Sequence, residues 1–255
     1  MPRPLAIVLA AGKGTRMESD LPKVLVPACG RPMIRYVLDG LRDAGVERLA
    51  VVVGYKAELV RGELGGEDAV VVVDQTEQLG TGHAVMMCRA ELEAFAADGG
   101  GPVIIVTGDS PMLQASSVRA LLEEFAATKP ACLLGTAHRD DPTGLGRVVR
   151  DADGQFVGVV EEKDATPEQQ AITEVNMSTY VFNAADLLWV LDRLTTNNAQ
   201  AEYYITDGPG LLREAGKTVA ALPALQPCEA LSVNTVKDLA AVEDEMRRMK
   251  AAAGS

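Results

Sequence analysis

A glycine-rich segment near the amino terminus combines a backbone that a ligand can approach closely with basic side chains. Residues 9–17 read Leu-Ala-Ala-Gly-Lys-Gly-Thr-Arg-Met, and Pro22-Lys23 follows shortly afterwards. Gly12 and Gly14 have no Cβ and would let backbone N–H groups approach a phosphate closely. Arg16 and Lys23 would neutralise the charge of that phosphate. These are the residue types that binding of a nucleoside triphosphate requires.

The spacing of this segment differs from the spacings of two common phosphate-binding loops. The dinucleotide-binding fingerprint needs a third glycine where Met17 stands, and a Walker loop needs Lys-Ser or Lys-Thr after its last glycine. A Gly-x-Gly pair by itself also fits a tight strand-to-loop turn, and Arg16 and Lys23 by themselves also fit a solvated surface. These structural alternatives stay open at this point.

A candidate metal ligand follows another apolar run. Asp109 comes shortly after residues 103–106 and two residues before Pro111, so its carboxylate should project beyond the end of a strand. A hard oxygen ligand in that place suits Mg²⁺, which keeps waters and substrate phosphates as its other ligands. An aspartate that caps the next helix is the alternative.

Both candidate sites need a scaffold, and the sequence predicts a parallel sheet. Short β-branched runs alternate with longer amphipathic stretches, and the runs are apolar throughout, as in strands covered by helices on both faces. Ligands of such sheets bind outside the carboxyl ends of the strands. The predicted strands are residues 5–9, 49–53, 70–73, 103–107 and 131–135, and the predicted helices are 32–44, 57–64, 82–97 and 116–128.

The pattern changes after residue 140. Short runs at 147–150 and 156–161 flank an Asp-Gly step, which predicts an inserted antiparallel hairpin. The predicted fold class is α/β, a doubly wound, mostly parallel, Rossmann-like sheet with this hairpin and a C-terminal helix. We divide the chain into a domain at 1–234 and a helical arm at 235–255. The remaining predicted elements are a strand at 174–182 and helices at 184–194, 202–215 and 236–249.

Composition excludes several classes of function. The chain has 255 residues and a formal charge of −12, so it offers no basic stripe for a nucleic-acid backbone. Its two histidines and four well-separated cysteines do not have the spacing of a zinc site. No apolar run approaches the roughly 18 residues that a membrane helix needs. We expect a cytoplasmic protein with reduced thiols that binds neither nucleic acid nor membrane.

The glycine-rich segment and Pro22-Lys23 resemble the signature of the nucleotide-sugar pyrophosphorylases. The rest of the chain closely resembles one branch of that family, the N-terminal uridylyltransferase domain of the bacterial bifunctional N-acetylglucosamine-1-phosphate uridylyltransferase/glucosamine-1-phosphate acetyltransferase. The resemblance covers most of the chain in the expected order. The segments that carry it are 77–84 (EQLGTGHA), 108–111 (GDSP), 141–147 (DPTGLGR), 160–166 (VEEKDAT) and 197–207 (NNAQAEYYITD).

The resemblance implies a nucleotidyltransferase domain at 1–234 and a reaction. UTP and N-acetylglucosamine 1-phosphate would give UDP-N-acetylglucosamine and pyrophosphate, by in-line attack on the α-phosphorus with Mg²⁺ as cofactor. Such chemistry depends on positioning and charge neutralisation rather than on a protein nucleophile. The implied catalytic residues are Arg16, Lys23 and Asp109, and the implied metal ligands are Asp109 and Asn234.

The resemblance also implies the substrate-binding residues. Gln75 and the turn at Gly80, Thr81 and Gly82 would recognise uracil, and Gly146, Glu161 and Asn176 would bind the sugar. The other implied binding residues are Leu9, Ala10, Ala11, Gly12, Gly14, Lys23, Thr107, Gly108, Asp109 and Asn234.

Several alternatives remain beside these assignments. Gln75 also fits a surface residue, Asn234 a helix N-cap, and Glu161 and Asn176 solvent-facing strand positions. Thr107 stands where that branch commonly has an aromatic residue, and Met177-Ser178 where it usually has Thr-Gly, so the choice of sugar stays open.

Three wider expectations follow for the protein as a whole. The alternative functions are a nucleotidyltransferase for another sugar 1-phosphate or another base, and a non-catalytic relative that binds a UDP-sugar. The sequence has no hexapeptide repeats, so we expect the acetyltransferase β-helix to be absent. Since the trimer of the bifunctional enzymes rests largely on that half, we expect a monomer or a weak dimer.

Overall fold

The computed structural model describes residues 3–67, 69–198 and 200–253. Within these ranges the strands are β1 (Leu5–Ala10), β2 (Pro27–Ala28), β3 (Arg31–Pro32), β4 (Arg48–Val53), β5 (Val70–Asp74), β6 (Pro102–Thr107), β7 (Cys132–His138), β8 (Gly146–Arg150), β9 (Phe156–Val160), β10 (Glu174–Asn183) and β11 (Val219–Leu222). The α-helices are α1 (Met33–Asp43), α2 (Ala57–Leu64), α3 (Thr81–Met87), α4 (Arg89–Ala97), α5 (Ala115–Thr128), α6 (Pro167–Gln170), α7 (Ala184–Leu191), α8 (Gly208–Glu214) and α9 (Val236–Ala253).

One mixed sheet forms the centre of the fold. Its main order is β11-β7-β10-β6-β1-β4-β5, and β8 and β9 extend it from β10. The pairs β1–β4, β1–β6, β4–β5 and β7–β11 are parallel. β10 runs antiparallel to both β6 and β7. The predicted doubly wound, mostly parallel sheet is confirmed.

Side chains of β1 alternate between two apolar cores, one on each face of the sheet. Ala6 and Val8 belong to the core covered by α1, α2 and α5, whereas Leu5 and Ile7 belong to the core covered by α3, α4, α7 and α8. These four side chains are at most 6% exposed. Burial of one valine or isoleucine side chain contributes about 1.5–3 kcal/mol. The two cores therefore fix the central strands and the loops that leave their carboxyl ends.

The predicted hairpin is present as β8 and β9. Its turn is closed by the Gly154 N–H, which donates to Asp151 O at 3.0 Å, and Gly154 has a left-handed φ of 77°. β8 also pairs with β10, so the hairpin joins the main sheet. The division predicted at residue 235 stays a prediction. No helix within the described ranges has the length and the apolar run needed to cross a bilayer.

The helix predicted at 82–97 is two helices in the structure. α3 ends at Met87 and α4 begins at Arg89, with Cys88 between them. The Cys88 N–H donates to Val85 O at 3.0 Å, three residues back, which tightens the turn and changes the direction of the chain. Because Val85, Cys88 and Leu92 all enter the same core, the apolar period continues through the break.

The helix predicted at 202–215 is shorter than expected. Ala201 has a left-handed φ of 53°, and residues 202–204, the extended stretch that ends at Tyr204, are not helical. A short 3₁₀ turn follows at Ile205–Asp207, and α8 begins only at Gly208. Pro209 lies in the first turn of α8, where its missing N–H costs nothing. The extended stretch instead pairs with residues 79–82, a contact that local periodicity does not show.

Smaller elements also differ from the sequence prediction. α1 begins at Met33 rather than at Pro32, because Pro32 pairs with Pro27 in the β2–β3 ladder. The sequence did not predict β2, β3, α6 or β11. β11 is a four-residue edge strand with the sequence Val-Ala-Ala-Leu, and its short, half-buried run is less distinctive than the longer buried runs of the central strands.

Candidate active site

The glycine-rich loop leaves β1 at the carboxyl edge of the sheet. Gly14 has a left-handed φ of 66°, and the Met17 N–H donates to Gly14 O at 2.9 Å, which closes a short helical turn at Thr15–Met17. Met17 is 4% exposed and anchors the turn in an apolar cluster, whereas Arg16 is exposed. The loop therefore combines a tight turn with an accessible cation.

Lys23 joins this loop to two oxygen-bearing side chains. It begins a second short turn after Pro22, and its side chain is only 14% exposed. Lys23 Nζ lies 2.5 Å from Asp109 Oδ2 and donates to Asn234 Oδ1 at 3.0 Å. An Arg16 guanidinium nitrogen donates to the same Asn234 oxygen at 3.4 Å. We call Arg16, Lys23, Asp109 and Asn234 the cationic group.

The helix-cap alternatives for Asp109 and Asn234 are wrong. Asp109 cannot cap α5, which begins six residues later at Ala115. At α9 the cap pair is Thr235 and Asp238, since the Asp238 N–H donates to Thr235 Oγ1 at 3.2 Å and the Thr235 N–H donates to Asp238 Oδ2 at 2.8 Å. The Asn234 side-chain oxygen is therefore used by the cationic group rather than by the helix.

The oxygens of the cationic group fit a divalent cation. No three His, Cys, Asp or Glu side chains among the described residues are placed to hold a metal together. Asp109 Oδ2 and Asn234 Oδ1 nevertheless converge, because both lie within 3.0 Å of Lys23 Nζ. A carboxylate and an amide oxygen are hard ligands of the kind that Mg²⁺ takes, with waters and phosphate oxygens in its other positions. These two residues would hold the metal, which would add positive charge at the phosphates.

Gln75 lies beyond the carboxyl end of β5 and is buried. Its exposure of 3% contradicts the surface alternative. Gln75 Nε2 donates to Gly80 O at 3.1 Å and lies 3.0 Å from His83 Nδ1. These contacts fix the amide beside the turn at residues 80–82. We call Gln75, Gly80, Thr81 and Gly82 the glutamine group.

The turn at residues 80–82 needs its glycines because the chain at Tyr203 lies against it. A Cβ on Gly80 would lie 2.5 Å from Tyr203 O, and a Cβ on Gly82 would lie 3.0 Å from the same atom. The Gly82 N–H donates to Tyr203 O at 2.7 Å, and the Ile205 N–H donates to Thr81 Oγ1 at 3.2 Å. The glutamine group is therefore held on the extended stretch that the sequence predicted as helix.

Backbone contacts join the loops around the cationic group. The Gly108 N–H donates to Leu9 O at 2.8 Å, which ties the end of β6 to β1. The Tyr55 N–H, in the loop after β4, donates to Ala11 O at 3.1 Å. Thr107 Oγ1 lies 2.7 Å from Ser110 Oγ, so the hydroxyl of Thr107 is engaged within its own loop.

Gly146, Glu161 and Asn176 also meet, and we call them the asparagine group. Gly146 of β8 lies opposite Asn176 of β10 in the sheet register. A Cβ on Gly146 would lie 3.4 Å from Glu161 Oε1, so the carboxylate occupies the space beside this glycine. Asn176 is 6% exposed, which contradicts the solvent-facing alternative for it. Glu161 is accessible to solvent, as that alternative expects.

The carboxyl of Glu161 stands in an unfavourable place for a charge. Protein atoms surround it on one side, and this burial, together with the negative charges of Asp164 and Asp207, raises the pKa of Glu161 above its usual range. Burial also raises the pKa of Asp207. A carboxyl in such surroundings gains from polar hydrogen-bond donors such as sugar hydroxyls.

The three groups lie along one edge of the sheet in a defined order. The glutamine group follows β5, and the cationic group follows β1 and β6. β10 is antiparallel to β6, with Tyr180 opposite Ile105, so the amino end of β10, where Asn176 lies, reaches the carboxyl edge of β6. The sheet order β5-β4-β1-β6-β10 therefore places the cationic group between the other two.

Sequence reasoning missed two residues that hold these groups. Arg147 is 1% exposed, forms an ion pair of 2.6 Å with Glu162, and donates to Leu145 O, which fixes the loop before Gly146. An arginine directly before the two valines of the predicted strand is a signal that could have identified it. Tyr203 holds the turn at residues 80–82 through its backbone, and its ring also stacks on His83 with centroids 6.3 Å apart.

A family comparison agrees with this scaffold. The family model described as the MobA-like NTP transferase domain matches residues 6–248. The chain belongs to this NTP transferase family. The match includes every residue of the three groups, and it supports the resemblance to nucleotide-sugar pyrophosphorylases on which the sequence prediction rests.

Curated relatives that carry the name bifunctional protein GlmU align with nearly the whole chain. Over 243 residues the identity is 42% with the protein of Pelotomaculum thermopropionicum, 44% with that of Streptococcus gordonii and 46% with that of Exiguobacterium sp.. Each alignment covers 95% of this chain and 52% of the relative. The chain therefore spans about half the length of the curated relatives that it matches.

Solved structures of similar fold are also nucleotidyltransferases by name. A protein assigned as a glucose-1-phosphate thymidylyltransferase, from Bacillus anthracis, superposes with a TM-score of 0.76 at 18% identity, covering 96% of this chain and 95% of the other. An apo UDP-glucose pyrophosphorylase superposes with a TM-score of 0.75 at 16% identity, covering 98% and 100%. At these identities the likeness establishes the fold of the family and nothing finer.

Proposed function

We propose that this chain transfers the uridylyl group of UTP to N-acetylglucosamine 1-phosphate, releasing pyrophosphate. The observation that carries the proposal is the order of the three groups along the sheet edge. A nucleotide sugar has its base, its phosphates and its sugar in that same linear order. Identity of 42–46% to relatives named bifunctional protein GlmU supports this choice of base and sugar.

The cationic group would carry out the charge neutralisation. Arg16 and Lys23 would contact the phosphates and stabilise the charge that develops on the α-phosphoryl group and the leaving pyrophosphate. The Lys23 ammonium lies between Asp109 Oδ2 and Asn234 Oδ1, so these two oxygens and a cation share one place beside the glycine-rich loop. We propose Mg²⁺ for this place, with Asp109 and Asn234 as its protein ligands.

The outer groups would select the substrates. Gln75 and the glycine turn present an amide and backbone groups that can pair with the imide edge of uracil. Asn176 and Glu161 present an amide and a carboxylate that can pair with hexose hydroxyls and an N-acetyl group. UTP as donor and four cysteines without disulfides fit the cytoplasm as the location.

The proposal is tested by measuring pyrophosphate release from UTP and Mg²⁺ with three acceptors in parallel. These are N-acetylglucosamine 1-phosphate, glucosamine 1-phosphate and glucose 1-phosphate. We expect turnover with the N-acetylated sugar and much less with the other two. Preference for glucose 1-phosphate would reassign the acceptor. Pyrophosphate release with none of the three acceptors would contradict the proposed transfer and leave binding of a UDP-sugar as the remaining function.

Two arginine variants make the test specific for the site. Arg16→Ala should lower kcat by about 10²-fold or more, because it removes a donor aimed at developing negative charge. Arg48→Ala is the matched control, since Arg48 lies at the opposite edge, at the start of β4, in an exposed ion pair of 3.2 Å with Asp98. It should leave kcat within about twofold. Equal effects of the two substitutions would contradict the site.

A further inference from the structure

The strand that carries Asn176 is irregular directly after this residue. Asn176 pairs with Thr136 of β7, but the next pair is Thr179 with Gly135, so residues 177 and 178 bulge out of the ladder. Ser178 has a left-handed φ of 53°. Bulges of this kind turn side chains away from the regular pleat, and they are common beside functional sites. The bulge therefore gives the Asn176 amide contacts that a regular strand would not allow.

The Asn176 amide is held at both of its ends. Its Nδ2 donates to the Tyr180 hydroxyl at 2.7 Å, and its Oδ1 accepts from the Ser178 N–H at 3.2 Å. Since an amide nitrogen cannot accept a hydrogen bond, the Ser178 N–H decides which end carries the oxygen. The nitrogen must then face Tyr180. One N–H and one oxygen lone pair of the amide are left for a ligand.

Tyr180 places a hydroxyl in the apolar interior. Its exposure is 0%, it lies opposite Ile105 and Leu134, and its ring packs against Phe182 with centroids 6.0 Å apart. Burial raises the pKa of this phenol, so it stays neutral. A phenylalanine would fill the same space without a polar group that must be satisfied. The hydrogen bonds of its hydroxyl, with the Asn176 amide and with the Ser178 side chain, thus distinguish tyrosine from phenylalanine at this position.

We propose that Tyr180 is a positioning residue for the acceptor sugar. Its hydroxyl fixes the Asn176 amide so that the free N–H and the free oxygen lone pair are presented beside Gly146 and Glu161. The inference rests on the proposed function of the asparagine group. Without the hydroxyl, the amide would lose its inner partner and could rotate, because the terminal torsion of asparagine is broad.

Tyr180→Phe tests this inference, since it keeps the ring and removes only the hydroxyl. We expect the KM for N-acetylglucosamine 1-phosphate to rise about fivefold, the equivalent of one hydrogen bond. kcat and the KM for UTP should stay within about twofold, because neither depends on the acceptor amide. Tyr180→Leu, which also lacks the hydroxyl, carries the same prediction if Tyr180→Phe does not fold.

Tyr36→Phe is the matched control. The Tyr36 hydroxyl donates to Ala28 O at 2.9 Å, away from the asparagine group, and its loss should change no kinetic constant by more than about twofold. The double variant Asn176→Ala/Tyr180→Phe separates positioning from packing. If Tyr180 acts through Asn176, its substitution adds nothing once the amide is absent.

Three outcomes would overturn the inference. They are an unchanged acceptor KM in Tyr180→Phe, an equal loss in kcat and in both KM values, and the same fivefold effect in the Asn176→Ala background. Absence of turnover in the unmodified protein would instead contradict the proposed function. Calorimetric titration with N-acetylglucosamine 1-phosphate would then decide: weaker binding by Tyr180→Phe supports the positioning role, and equal binding, or binding by neither protein, overturns it.

Discussion

Gly14→Ala should both destabilise the protein and misplace Lys23. The φ of Gly14 is 66°, and a Cβ built there would lie 2.7 Å from Lys23 Cβ and 2.9 Å from Lys23 Cγ. These are the inner atoms of the lysine side chain, so rotation of its outer bonds cannot relieve the clash. The backbone at Gly14 or at Lys23 must move instead.

The size of the effect follows from these two observations. A left-handed conformation costs a residue other than glycine about 1 kcal/mol, and forcing apart a packed pair costs about 1 kcal/mol more. The sum of roughly 2 kcal/mol should lower the Tm by about 4–8 °C in a chain of this size. Because Lys23 would leave Asp109 and Asn234, kcat should also fall by about tenfold or more.

Gly12→Ala provides the comparison within the same loop. A Cβ at Gly12 would have nothing within 4 Å, and its φ lies outside the left-handed region. Differential scanning calorimetry without nucleotide should therefore show a Tm within about 1 °C of the unmodified protein. A Gly14→Ala protein that melts like the unmodified protein, or a Gly12→Ala protein that loses as much stability, would contradict the role of the Gly14 backbone in holding Lys23.

Three further substitutions test the site and an ion pair between the strands β8 and β10 that carry part of it. Asp109→Asn should lower turnover about 10²-fold and weaken Mn²⁺ binding in paramagnetic resonance titrations; unchanged Mn²⁺ affinity would contradict the metal assignment. Glu161→Gln should raise the Tm at pH 7, since folding raises the pKa of Glu161 and so disfavours its charged form. The gain should shrink as the pH falls through that raised pKa and be lost below the usual pKa of a glutamate; a gain that persists in acid would contradict this cause. Arg150→Ala should cost about 3 kcal/mol, because Arg150 donates to the buried Glu174 carboxylate at 2.7 Å, and Arg150→Ala/Glu174→Gln should recover part of that loss.

The fold class and the phosphate-side residues could be predicted from the sequence because their signals are local. The central strands are short β-branched runs, and two of them are followed directly by the glycine loop and by Asp109. Parallel strands buried on both faces put their carboxyl ends at one edge, so adjacency in sequence becomes adjacency in space. The roles of Gln75, Glu161, Asn176 and Asn234 came from resemblance alone.

Other features of the site depend on contacts that no local pattern specifies. Asn234 meets Lys23 across 211 residues of chain, and residues 203–205 hold the turn at 80–82. Both contacts join parts of the chain that are distant in sequence and that only the assembled fold brings together. Residues 202–204 were predicted as the start of a helix because their own composition does not reveal that their backbone is used elsewhere.

The sequence by itself determined which chemistry the loops of this protein can perform, since residue type fixes charge, hydrogen-bonding capacity and backbone freedom. The tertiary structure decided where that chemistry takes place. The position of β10 between β6 and β7, antiparallel to both, brings Asn176 to the edge beside Asp109 and puts the Tyr180 hydroxyl beneath its amide. Strand order and direction are set by burial over the whole chain, which a short window of residues does not contain.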